Sequence, residues 1–158
     1  YYIKYYEELS ELAKRESEYS YLFDTLAKLS KILINKSTLP LDLRKAYKAG
    51  NKGSIKRFAQ DVIPQCIEDI KVFYSAFKKQ WYLENKRYGF EIQDIRLGGL
   101  IQRLEHVCEI LMDYSEGRIA KIEELEEPFL DVYGRIEREK FKGWAFNFYD
   151  RIASSSLL

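Results

Sequence analysis

Trp81-Tyr82-Leu83-Glu84-Asn85-Lys86-Arg87-Tyr88-Gly89-Phe90-Glu91-Ile92-Gln93-Asp94-Ile95-Arg96-Leu97-Gly98-Gly99-Leu100 ends one long helical pattern and begins another. Between the two, Asn85 to Phe90 is too short and too polar for a strand, and Gly89 is its turn residue. The second helix then carries Gly98-Gly99. Two adjacent glycines inside a helix cost about 1 kcal/mol each relative to alanine. The usual gain from such a pair is the close approach of another backbone. Asp94, near the helix start, is favoured by the helix dipole. Arg96 opposes that dipole and is tolerated where its guanidinium meets a carboxylate elsewhere. Arg87, Tyr88 and Phe90 add a projecting loop.

Working outward, Ile67, Ile70, Tyr74, Phe77 and Trp81 keep helical spacing, with Cys66 and Phe73 widening the stripe. A stripe this wide predicts a helix over Pro64–Asn85 buried against two neighbours. On the other side, Leu97, Leu100, Ile101, Leu104, Val107, Cys108 and Leu111 predict a second central helix, capped at Gly117. Arg103, Glu105, His106, Glu109 and Asp113 point outward from it. Nearer the N-terminus, Tyr5, Leu9, Leu12 and Ala13 mark one helix, and Leu22, Leu26, Leu29 and Leu33 mark a face of the next. That helix stops near Asn35–Thr38, ahead of Pro40. Leu41–Ala49 reads as a short helix ended by Gly50, and Ser54 as the N-cap of another, with Ile55, Phe58, Ala59 and Val62 inward. Pro64 predicts a kink or restart. Beyond Gly117 an acidic run, Ile122–Glu127, precedes Pro128. A basic segment, Gly134–Lys142, and an aromatic cluster with Trp144, Phe146, Phe148 and Tyr149 close the chain. The whole is an all-α, irregular bundle of five or six helices. Residues 1–158 form one helical domain with 129–158 as its tail.

Composition agrees. A chain of 158 residues, 46% hydrophobic and 32% charged, is long enough to bury a core and too apolar to be disordered. Three prolines and eight glycines favour long helices over a sandwich. The thirteen tyrosines, each able to sit half in a core and half in water, suit large contact surfaces. Twenty-six basic residues nearly balance 25 acidic ones, so the basic footprint of a nucleic-acid binder is missing. No apolar run approaches a membrane span, and nothing resembles a signal peptide. The chain opens on Tyr1-Tyr2 and its one methionine is Met112, so a piece of a longer polypeptide is expected.

The residues carry little chemistry. Cys66 and Cys108 fall on apolar stripes and read as reduced, buried thiols. His106 points away from Cys108 on a regular helix, so the two cannot share a metal. No Glu-x-x-His pattern, serine or cysteine triad, or glycine-rich phosphate loop occurs. We expect no metal and no cofactor. Asn35-Lys36-Ser37 matches a glycosylation sequon, a pattern short enough to arise by chance.

Trp81 to Leu100, taken as a motif, resembles the C-terminal helical region of a bacterial branch of the family 20 glycoside hydrolases, the β-N-acetylhexosaminidases. Arg15–Leu22, Leu43–Tyr47, Leu104–Tyr114 and Ile122–Glu127 are similar to other parts of that region. The likeness runs from Tyr6 to Glu127. Arg87 departs from it, standing where relatives have proline and leaving the turn less rigid. The resemblance implies a domain that follows a catalytic (β/α)₈ barrel. It also implies retaining hydrolysis of terminal N-acetylhexosamine, with the substrate's acetamido group as nucleophile. A neighbouring Asp-Glu pair would orient that group and donate the proton. The chain contains no Asp-Glu dipeptide, and Glu68-Asp69 is the reverse order. The pair would therefore lie in the N-terminal part, leaving this chain without catalytic residues and inactive alone. Partners implied are the barrel of the same polypeptide and a homodimer mate, in a bacterial cytoplasm, with neither nucleic acid nor membrane.

Arg87, Tyr88, Phe90, Gln93, Asp94, Arg96, Gly98 and Gly99 mix aromatic, arginine and amide groups as interface centres do. They are the expected contact with the barrel or a second subunit, with Arg96 as anchoring ion pair and Asp94 holding it. The alternative is a freestanding helical protein-interaction module unconnected with carbohydrate.

Overall fold

The computed structural model describes residues 1–15 and 17–126. The expected tail over 129–158, its aromatic cluster and its basic segment lie outside the described residues. The described chain is helical, as expected. Its elements are α1 (Tyr2–Ala13), α2 (Ser20–Lys36), α3 (Leu39–Lys48), α4 (Lys52–Arg57), a π-helical turn (Phe58–Val62), α5 (Ile63–Glu84), α6 (Glu91–Glu116) and the single turn α7 (Glu123–Glu126).

Local chemistry sets most of the boundaries. Pro40 and Pro64 sit in the first turns of α3 and α5, where a missing amide hydrogen costs nothing. Gly50 and Gly117 end α3 and α6 with φ of 63° and 81°. Past Gly117 the Arg118 amide bonds to the Asp113 carbonyl at 2.8 Å, satisfying an end-of-helix acceptor. The cap of α4 differs from the expectation. Asn51, and not Ser54, is the cap, its side chain accepting the Ser54 amide at 2.9 Å. This places Ser54 three residues into the helix, the usual donor position. The expected interruption at Pro64 takes the form of the preceding π turn, one of the common ways a helix absorbs a defect in its ladder.

Helices α1 and α2 form an antiparallel hairpin, α2 lies along α5, and α5 folds back on α6. The core lies where α3, α4 and the π turn close over α5 and α6. Ile55 and Ile63 are fully enclosed, with Ile70 and Leu111 beside them. Tyr47, Ile67, Leu104 and Ile122 belong to the same cluster. The hydroxyl of Tyr47 accepts the Ile122 amide at 3.1 Å and donates to Glu126. Arg103 pairs with Glu124, so α7 is tied to both α3 and α6.

Three apolar stripes are distributed differently from the sequence pattern. On α2 the leucine face is not the packed one. Leu26 and Leu29 are exposed, while Thr25, Ala27, Ser30 and Ile32 are buried. Small side chains there let α1 and α5 lie close. Asp69 of α5 is buried in this seam, paired with Lys31 at 3.4 Å and accepting from Gln65 at 3.1 Å. On α1, Tyr5 is exposed and no residue is fully buried, because α1 leans mainly on α2. On α6 only Leu104 and Leu111 are fully buried, and Leu97, Leu100, Ile101, Val107 and Cys108 are half-buried. Cys66 is enclosed and Cys108 half-buried, and both are free thiols whose pKa burial pushes up.

Candidate functional site

Helix α5 stops at Asn85, which is extended, and the Trp81 indole N–H bonds to the Lys86 carbonyl at 2.8 Å. Gly89 follows with φ of 100°, a conformation that side chains resist, and an added Cβ would meet Trp81 at 3.5 Å. The Glu91 carboxylate turns back to accept the Gly89 amide at 2.7 Å and so steadies the turn just ahead of α6, whose N-cap Phe90 has no side-chain cap.

The eight expected interface residues separate into two groups. Phe90 corrects the expectation, for it is 2% exposed and belongs to the protein's own core. Its ring packs against Tyr74, Phe77, Trp81 and Tyr82 at 5.7, 5.7, 5.8 and 5.9 Å between centroids. A large apolar ring beside a tight turn finds shelter in the nearest aromatic cluster before it finds a partner. Gln93 is half-buried. Asp94 is also taken, but by Tyr74, whose hydroxyl donates to it at 2.7 Å. That hydrogen bond, more than burial, raises the Tyr74 phenol pKa. Asp94 therefore braces α6 on α5 and forms no ion pair with Arg96.

The remaining residues face outward. The Arg87 guanidinium lies 5.1 Å from the Tyr82 ring, and Tyr88 is 83% exposed. Arg96 is exposed and forms no ion pair among the described residues. A Cβ placed on Gly98 or Gly99 would meet nothing within 4 Å among the described residues, so no described backbone uses the room they leave.

Two residues of the same face went unmarked in the sequence reading. Ile92 and Ile95 are exposed, Ile95 at 71%. They stand seven and four residues before Gly99 on the helix, on the side opposite Leu97, Leu100, Ile101 and Leu104. Their signal was phase, since both are apolar and both miss the core stripe. The first half of α6 is thus an open face of isoleucine and glycine, bordered by Arg96 and Tyr88. Such a face can bind by apolar contact and close backbone approach, with guanidinium donors at its edge. Among the described residues no three His, Cys, Asp or Glu side chains gather as metal ligands would, and His106 is exposed. No helix there is long and apolar enough to cross a membrane.

No curated protein matches the chain. One family does, described as the Glycoside Hydrolase 20C C-terminal domain, and it spans residues 1–143. With nearly the whole chain inside that match, the protein belongs to the C-terminal domain family of the 20C glycoside hydrolases.

Proposed function

We propose that this domain is the non-catalytic C-terminal part of a β-N-acetylhexosaminidase and docks on the catalytic barrel of the same polypeptide through the open face of α6. The observation that carries the reading is the glycine pair. Gly98 and Gly99 weaken a 26-residue helix at a place where none of the described residues approaches them. Ile92 and Ile95 extend that opening with exposed apolar surface. The family supplies the occupant, since a domain named for its place after a hydrolase has that hydrolase as its nearest surface. The same membership speaks against a freestanding module. Two reduced thiols accord with a cytoplasmic home.

The test is Gly99→Leu in the full-length hydrolase. Leucine suits a helix better than glycine, so the isolated chain should melt no lower than before. In the full-length enzyme the added side chain should separate the domains, read as faster proteolysis between them and a lowered melting temperature. Unchanged proteolysis and melting would rule out docking through this face. A second reading, association of two copies, draws on the exposed Leu26 and Leu29 of α2.

A further inference from the structure

A cleft of about 360 Å³ opens between the end of α2, the start of α3, α4 and the π turn, on elements that take no part in the α6 face. Its floor is apolar, formed by side chains that include Ile34, Leu39 and Phe58. Its rim is polar: Asn35, Thr38, Asp42, Ser54 and Arg57. Apart from a 3.9 Å contact between Asp42 and Lys45, these rim side chains make no hydrogen bond or ion pair with the described residues. The backbone beside them is irregular too, since the π turn contributes Phe58 and Val62 to the wall. Single π turns inside helices occur frequently at functional sites.

The cleft's size falls at the small end of ligand pockets, and its makeup is an apolar floor with a few polar groups at the edge. One carboxylate and one guanidinium leave the rim without net charge, which suits neither phosphate nor a polyanion. A pyranose ring has the matching form, with a C–H face for the floor and hydroxyls for the rim. Carboxylate, amide and guanidinium groups all bond hydroxyls well. The sequon asparagine acquires a role in this arrangement. Asn35 is half-buried at the end of α2, lining the cleft, and is not set in an exposed loop as a glycan acceptor would be.

We infer that this cleft is an accessory site for a neutral monosaccharide, separate from the surface that meets the barrel. The inference rests on membership in a glycoside hydrolase family, which places the domain where free sugar is released, and does not depend on α6 docking. For a ligand of this size with few anchoring groups, binding falls in the millimolar range.

The experiment is an amide-resolved NMR titration of the 158-residue chain with N-acetylglucosamine, glucose and galactose, to about 50 mM. Saturable shifts from at least one sugar are expected at residues 35, 38, 42, 54 and 57. They should fall at least tenfold in affinity in both Asp42→Asn and Arg57→Ala, with the remaining spectrum preserved. Gly99→Leu should leave the titration unchanged whether or not docking through α6 holds. No saturable shift with any sugar would overturn the inference. So would shifts confined to α6, or shifts produced by glycine and by none of the sugars, which would mark a zwitterion site.

Discussion

Phe90 and Arg96 are six positions apart and looked alike as interface residues, yet the fold gives them opposite parts. Removing the Phe90 ring leaves a hole among four aromatic neighbours, and Phe90→Ala should cost about 3–5 kcal/mol. Arg96→Ala should change the stability of this chain by less than about 1 kcal/mol, since the side chain is exposed and forms no ion pair among the described residues. Urea unfolding of the two variants measures both. Equal losses would make Arg96 a brace and end its place in the docking surface. Tyr47 carries a pH dependence. Burial first, then the hydrogen bond to Glu126, raises its phenol above the usual tyrosine range. A raised pKa means the folded state holds the proton longer. Its contribution is therefore complete below about pH 10 and lost as the pH climbs through the folded value. Tyr47→Phe should cost about 1–3 kcal/mol near neutrality, because the buried Ile122 amide loses its acceptor. It should also flatten the fall of stability at alkaline pH, which melting curves from pH 8 to 11 would reveal as a shrinking difference from wild type.

Among the elements, α6 is two helices in one from an energetic standpoint. Residues 104–111 hold the core, whereas 91–99 rest on α5 through Phe90, the Asp94–Tyr74 hydrogen bond and half-buried Leu97. Amide hydrogens over 91–99 should exchange sooner than those over 104–111 in the isolated chain, and this difference should narrow in the full-length hydrolase. Equal protection in the isolated chain would show that the open face is no weaker than the core. Helix positions and the place of Pro64 were legible in the sequence because they depend on local rules of spacing and capping, whereas Pro40 was expected ahead of its helix and lies in the first turn of α3. What those rules could not give was the side each helix buries when it has apolar residues to spare. Leu26 and Leu29 follow a good stripe but lose the packed face to Thr25, Ala27 and Ser30, since a close helix contact selects small residues and a periodicity count selects large ones. The glycine pair was legible as a break in the helical pattern, and the phase of Ile92 and Ile95, unmarked in the sequence, would have set them beside it. Asp94's partner was not, since Tyr74 lies 20 residues away across a turn.

At the scale of the whole molecule, the described chain is a helical bundle with an open α6 face and a cleft, and both proposals above are of recognition and not catalysis. The purified chain should give no turnover of a chromogenic N-acetylglucosaminide in a colorimetric assay, and measurable turnover would relocate the catalytic groups into this domain. The domain's other property as a body follows from Gly98 and Gly99. Alanine would fit at both positions without touching any of the described residues, so the free domain stands about 1–2 kcal/mol below the stability its own helix could reach. On the docking proposed above, contact with the barrel restores that difference by mass action, as any ligand of the native state does. The tail end of such an enzyme then reaches its full stability only once its front end has folded. A chain whose barrel has failed carries a domain that opens about five- to thirty-fold more often than alanine would allow. Proteases that survey unfolded segments would find it first, and the glycine pair would act as a built-in check on assembly.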